Sequence, residues 1–178
     1  MKQTKWFDKK FDFDSKQNTF PSTLKRLKET PQKLRTKIET VPYQILTLRF
    51  ESTWSIKQNL GHLIDLEELW QGRLEDFLEG KEELRPWDLE NTKTRKGRHN
   101  RKDIEALLTG FEAVRNQTIE ALEKLEKEDI LKIALHPRLK VPMRLMDLFL
   151  FVAEHDDHHL QRIDFVHELF DNETFAQH

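Results

Sequence analysis

Residues Leu145–Val166 read LMDLFLFVAEHDDHHLQRIDFV, with an apolar side chain at every third or fourth position. That spacing is the repeat of an amphipathic helix. On a wheel of about 100° per residue with Leu145 at zero, Leu148, Val152, Ile163 and Val166 fall within about 60° of one another's stripe. His155 lies at about 280° and His159 at about 320°, inside the same stripe. A helix whose core-facing side carries two imidazoles one turn apart predicts a helical bundle with a polar site built into it.

The i, i+4 spacing stacks both rings on one helix face. Each can then aim a nitrogen at one ion about 2.0–2.1 Å away. Two ligands rarely hold a catalytic metal, so a third must come from elsewhere. His62 in NLGHLIDLEELW is the best placed: it sits in a second helical segment, between Leu66 and Leu69 at the edge of the apolar arc. The other reading is a set of core histidines satisfied by hydrogen bonds. Spacing alone does not separate the two, because HxxxH lacks the glutamate of a zincin motif.

Working outward, the apolar pattern predicts four helices and no strands. The first spans about Pro21 to Thr40, with Leu24, Leu27, Leu34, Ile38 and Val41 at core spacing. Pro31 removes a backbone donor and crowds the preceding turn, so a kink or break is expected there. The second starts near Trp54, where Ser55 and Gln58 have capping-box spacing, and runs to about Leu78, before Gly80. The third starts near Asn100 as N-cap, with Asp103 in its first turn. The fourth follows Pro142, read as a first-turn proline, and runs to about Phe170. Two long connections remain, residues 81–99 and 128–141; loops of such length are often functional when ordered. The fold class expected is all-α, a four-helix bundle with long connections.

Length and composition agree. The chain has 178 residues, 35% of them charged and only five glycines, which suits one helical domain over 1–178. A formal charge of −2 supplies no basic field of the kind that drives nucleic-acid binding. The start, MKQTKWFDKKFDFD, lacks the apolar stretch of a signal peptide, and the longest apolar run, LFLFVA, is too short to cross a bilayer. The chain has no cysteine, hence no disulfide and no thiolate ligand, and any thiol chemistry needs a small-molecule thiol. The expected location is the cytoplasm, with no membrane or nucleic-acid partner; a homodimer is compatible with these features.

Several polar residues stand out. Glu67 falls mid-arc among Ile56, Leu60, Leu63 and Trp70, and Arg115 sits beside Phe111 and Ile119. Charges so placed are costly unless paired, so the two are expected either to meet inside the bundle or to reach solvent on long stems. His158, at about 220°, points off the stripe toward solvent or a contact with a ligand. Arg73 and Arg162 lie at angles similar to His62 and His155, where either could bind a carboxylate; surface solvation is the plainer reading. The Lys93–Lys102 stretch, KTRKGRHNRK, is locally basic and reads as a solvated loop without interleaved aromatics. Trp87 is read as a pocket wall or a loop anchor, His136 as a loop histidine, and His99, His167 and His178 carry no signal.

Two stretches together are more specific. WSIKQNLGHLIDLEELW (54–70) and HPRLKVPMRLMDLFLFVAEHDDHHLQRI (136–163) resemble the DinB-like (DinB/YfiT) superfamily, and the likeness extends to WFDKKFDFD and FPSTLKRLKETP near the start. That resemblance implies a four-helix bundle with a long crossover and a divalent metal held by His62, His155 and His159. It also implies a metal-dependent thiol S-transferase acting on a small electrophile, or a related hydrolase; a metal-binding bundle without turnover is a further reading.

The chemistry of such a site follows from its ligands. Three neutral imidazoles leave a position open and the ion's charge uncompensated. Bound water then ionises near neutral pH, and a thiol binds as thiolate. The ligand set accepts Zn, Ni, Co or Fe and does not choose among them.

Overall fold

In a computed structural model, residues 6, 11, 13 and 16–175 are described, with the side chains of 171–175 excepted. Of WFDKKFDFD, therefore, only Trp6, Phe11 and Phe13 fall within the described residues, and His178 lies outside them. Four long helices form: α1 (Phe20–Glu39), α2 (Ile56–Leu78), α4 (Ile104–Glu123) and α5 (Leu145–Phe175), with a short α3 (Thr92–Lys96) between α2 and α4. Helix α1 packs on α4 and α5, and so does α2. The chain-consecutive pair α1 and α2 thus stands across the bundle diagonal. No helix is long and apolar enough to cross a membrane among the described residues.

Local signals explain the boundaries. Ser55 and Gln58 form the expected capping box, and Gly80 closes the end of α2 with φ +71°, a conformation that costs glycine no Cβ clash. Helix α4 begins later than the sequence suggested: Asp103, not Asn100, is its cap, and its side chain accepts from Ala106 N at 3.1 Å. Asn100 instead accepts a hydrogen bond from Ser55 Oγ at 2.6 Å. Pro142 does not start α5. It lies in a strand, and Asp147 secures the helix start by accepting from Arg144 N at 3.0 Å.

Of the kink or break expected at Pro31, the break does not occur; α1 runs through it. Proline cannot donate to the carbonyl four residues back, which is Leu27 O. The Arg115 guanidinium reaches that oxygen at 3.5 Å and takes the missing donor's place. Tertiary packing, invisible in the local pattern, compensates the proline.

The absence of strands is also corrected. Ile133–Leu135 (β1) and Pro142–Arg144 (β2) pair antiparallel, with Ala134 opposite Met143. Three-residue strands are too short to show alternation. Leu135 also exchanges hydrogen bonds with the other long connection, from its N to Glu82 O at 2.8 Å and from Leu84 N to its O at 3.0 Å. The two loops therefore brace each other at one end of the bundle.

The apolar core has two parts. One gathers Leu27, Leu66, Trp70, Leu74, Phe77, Leu145, Leu148 and Phe149; the other gathers Leu34, Ile38, Ile56, Leu60, Leu63, Phe111, Leu160 and Ile163. A buried polar layer separates them, to which each long helix contributes. Arg115 Nε donates to Glu67 Oε1 at 2.8 Å, and Nη1 and Nη2 donate to Asp156 Oδ2 and Oδ1 at 2.5 and 3.1 Å. Thr118 donates to Glu67 and Thr30 to Asp156. The expected Glu67–Arg115 contact is present, 1–2% exposed on both sides. Asp156 was missed. It lies at about 20° on the wheel used above, mid-stripe, so its facing was readable. Burial lowers the Arg115 pKa, but the two carboxylates outweigh it and hold the guanidinium charged; burial raises that of Glu67.

Candidate metal centre

His62 comes from α2 and His155 and His159 from α5, which meet along their length. All three are buried, at 2–5% exposure. One ring nitrogen from each falls in a cluster no wider than 4.8 Å. His155 and His159 approach Nε2 to Nε2 at 3.2 Å. Two ligands of a tetrahedral ion bound at 2.0–2.1 Å stand about 3.3 Å apart, so this pair is already spaced as ligands.

Hydrogen bonds on the far sides of two of the rings leave their other nitrogens for the cluster. Asn59 Nδ2 donates to the backbone oxygens of Trp54 and Ser55 at 3.2 and 2.9 Å. Its Oδ1 is thereby turned to His159 Nδ1, 2.8 Å away, and must accept a proton from it. The lone pair of His159 then sits on Nε2, toward His155. His62 Nδ1 meets Thr94 Oγ1 at 3.0 Å, which leaves its Nε2 for the cluster. His155 Nδ1 is buried with no hydrogen-bond partner among the described residues. Without a cation the His155–His159 contact needs His155 to donate through Nε2, stranding a lone pair on Nδ1. With one, both Nε2 lone pairs can face the ion and the unpartnered His155 Nδ1 carries the hydrogen. Nδ1 is thus unpaired in either case, and the fit to a metal rests on the spacing of the ring nitrogens. The residues present fit a metal.

Burial pushes the His62 imidazole down to about 3 and those of His155 and His159 well below their ordinary value. All three rings are therefore neutral at physiological pH, the form that ligates. Three buried histidines that can hold a metal ion is what the site amounts to chemically.

The cluster opens into a cavity of about 290 Å³ lined by Trp6, Trp54, Trp87, Asn59, Asn91, His158 and Arg162 beside the three histidines. Trp54 packs on His62 at 4.6 Å between ring centroids, Trp6 on His155 at 5.0 Å, and Trp87 stands 6.4 Å from His62. Trp87 is brought there because Asp76 clamps Arg85, accepting from its backbone N at 2.8 Å and from its guanidinium. Trp87 and Asn91 also line an adjoining cavity of about 350 Å³ with Asp65, Leu66, Leu69, Pro86 and Thr94. Arg95 N donates to Asn91 O, and Asn91 itself sits in the left-handed region at φ +49°.

The other sequence candidates divide. Arg162 and His158 reach the cavity, with the His158 ring edge-on to His159 at 5.3 Å. Glu67 and Arg115 belong to the polar layer, joined to the site through Asp156, the residue after His155. Arg73 is not brought to the cavity and is not on the surface either: it is 1% exposed, donating to Arg85 O at 3.1 Å and lying 3.3 Å from His136 Nε2. Burial lowers its pKa to about 10. Asn59, Trp54 and Thr94 were missed. Asn59 lies three residues before His62 on the same face of α2, a readable signal; Thr94 carries none, because its place depends on how the connection folds back.

A family model for the DinB superfamily matches residues 21–163. The chain belongs to the DinB superfamily. A solved structure, YfiT from Bacillus subtilis, described as a probable metal-dependent hydrolase with an unusual four-helix bundle topology, superposes with a TM-score of 0.78 at 19% identity. The match covers 92% of this chain and 94% of that one. At that identity the likeness establishes the fold. No curated protein sequence matches the chain.

Proposed function

We propose that this DinB-superfamily protein is a metal-dependent hydrolase whose divalent ion, Zn, Ni, Co or Fe, is held by Nε2 of His62, His155 and His159. The observation that carries this reading is the convergence of three neutral ring nitrogens, two with their far sides already bonded, at the floor of a cavity. His62, His155 and His159 would hold the ion, and when bound it would supply Lewis acidity for activating water near neutral pH. The description of YfiT as a probable metal-dependent hydrolase supports the same reaction class.

The chain's own residues do the rest. Asn59 and Thr94 keep two ligand lone pairs aimed inward. Trp6, Trp54 and Trp87 wall the cavity with apolar surface, which limits water and strengthens electrostatic attraction inside. Arg162 and His158 are the polar side chains of α5 at that wall, placed to hydrogen-bond a substrate oxygen.

Thiol transfer to a small electrophile is the second reading, favoured by the adjoining cavity that shares Trp87 and Asn91. Two neighbouring spaces suit two reactants. The two readings separate in one experiment. Metal-loaded protein is assayed against a panel of esters, amides and electrophiles, with and without low-molecular-weight thiols. Hydrolysis predicts product without thiol, at a rate abolished in His159→Ala. Product only with thiol selects transfer, and no product under either condition across the panel sinks both.

A further inference from the structure

His62 is attached to a chain of hydrogen bonds that ends in a slot built from two glycines. Its Nδ1 meets Thr94 Oγ1 at 3.0 Å. Burial raises the Asp65 pKa, but the His99 ring first, then the nearby Thr94 hydroxyl and the Lys93 charge, outweigh it and hold the carboxyl below its ordinary value. Asp65 Oδ2 lies 2.8 Å from His99 Nε2. On its other side, His99 Nδ1 faces Lys102 Nζ at 3.4 Å. The His99 ring is 2% exposed, and a Cβ on Gly61 would come within 2.1 Å of its Cγ, one on Gly97 within 2.4 Å of its Nε2. The ring fits only because both positions lack a side chain.

The proton directions in this chain follow from which of its groups can donate and which can accept. Lys102 can only donate, so His99 Nδ1 accepts and Nε2 carries the hydrogen given to Asp65. An ionised carboxylate only accepts, so the Thr94 hydroxyl spends its single proton on Asp65. Toward His62 the same oxygen is then an acceptor, and His62 Nδ1 must carry a hydrogen. The lone pair of His62 is left on Nε2.

We propose that Thr94 and Asp65 are positioning residues for His62: together they hold it as the Nδ1–H tautomer, so that Nε2 faces His155 and His159 ready to ligate. The role deepens the metal-site reading and rests on it for its purpose, though not for its geometry. It also gives the segment from Lys93 to Lys102 a function, since that connection supplies Thr94, Gly97, His99 and Lys102. Partners of this kind on the far nitrogen of a ligand histidine commonly contribute about 10–100-fold in metal affinity.

Two measurements test it. Long-range ¹H–¹⁵N correlation spectra of the metal-free protein at neutral pH should show His62 as a single Nδ1–H tautomer. Thr94→Val should convert it to a mixture or to Nε2–H, and Thr94→Ser should keep it. Co(II) affinity, measured by chelator competition, should fall about 10–100-fold in Thr94→Val, fall in the same direction in Asp65→Asn, and stay near that of the parent in Thr94→Ser. Thermal melts establish that each variant is folded. A folded Thr94→Val that retains the Nδ1–H tautomer and the parental Co(II) affinity overturns the proposal, and an unaltered Asp65→Asn removes Asp65 from it. Failure of the parent protein to bind Co(II) would instead sink the metal site, while the tautomer spectra would still decide the relay.

Discussion

Replacing Arg115 by Met tests the buried polar layer most directly. The guanidinium makes four short contacts with two carboxylates, its Nε and Nη2 to Glu67 Oε1 at 2.8 and 2.6 Å and its Nη1 and Nη2 to Asp156 at 2.5 and 3.1 Å. It also covers Leu27 O above Pro31. Methionine keeps much of the apolar stem and removes the charge, leaving Glu67 and Asp156, each about 1% exposed, facing each other. At least one must protonate to stay buried. From an ordinary value of 4.5 for Glu67, holding that proton at pH 7.5 costs about 4 kcal/mol, and at pH 5.5 about 1.4 kcal/mol. Breaking a buried pair by removing one partner costs about 3–5 kcal/mol, in the same range. The sign follows from linkage: in the variant a folded carboxyl pKa is raised, so its contribution is complete below 4.5 and is lost as pH rises through the new value. Urea unfolding followed by circular dichroism should therefore show Arg115→Met destabilised by about 4 kcal/mol at pH 7.5 and by markedly less at pH 5.5, with an unchanged m-value. A loss below about 1 kcal/mol at both pH values, or an equal loss at both, would refute the reasoning.

Glu67→Ala should cost less than Arg115→Met, about 1–3 kcal/mol, because Asp156 still pairs the guanidinium; a larger loss in the same urea titration would show that Asp156 does not hold it alone. His155→Ala and His159→Ala should each abolish tight metal binding by equilibrium dialysis, since the remaining pair of imidazoles cannot complete the site; full stoichiometry in both variants would disprove the ligand assignment. Metal-free protein should lose stability as pH falls from 6.5 toward the folded values of about 3 for His62 and about 4 for His136, both lowered chiefly by burial. Each such ring steepens the loss by up to about 1.4 kcal/mol per pH unit between those limits, and a flat profile from pH 6.5 to 4.5 would contradict their burial as neutral rings. Gly110→Ala, whose new Cβ meets nothing nearer than Ile64 Cδ1 at 3.9 Å, should stabilise by about 0.5–1 kcal/mol. Gly61→Ala should destabilise, because its Cβ would collide with the His99 ring at 2.1 Å; stabilisation by both in thermal melts would mean the ring slot is not rigid.

Apolar spacing by itself determined the four long helices, because a helix buries a continuous stripe and the stripe is written every three or four residues. The facing of His155 and His159 followed from the same period, which also placed Glu67 and Arg115 in mid-stripe but left open whether they meet or reach solvent. The cap of α2 was equally local. What lay beyond that reading depended on residues far apart in the chain. The continuity of α1 through Pro31 was decided by a guanidinium on α4. The pairing of β1 with β2 was decided by two loops that hydrogen-bond to each other rather than by any alternation of their own. Thr94, Asp65 and His99 acquired their places only when the connection after α2 folded back onto it, and Arg73 was buried by the same segment instead of meeting solvent. Periodicity records which side of an element faces inward; it holds no information about which distant side chain waits there, and that meeting is what brings three inward-facing histidines into one cluster.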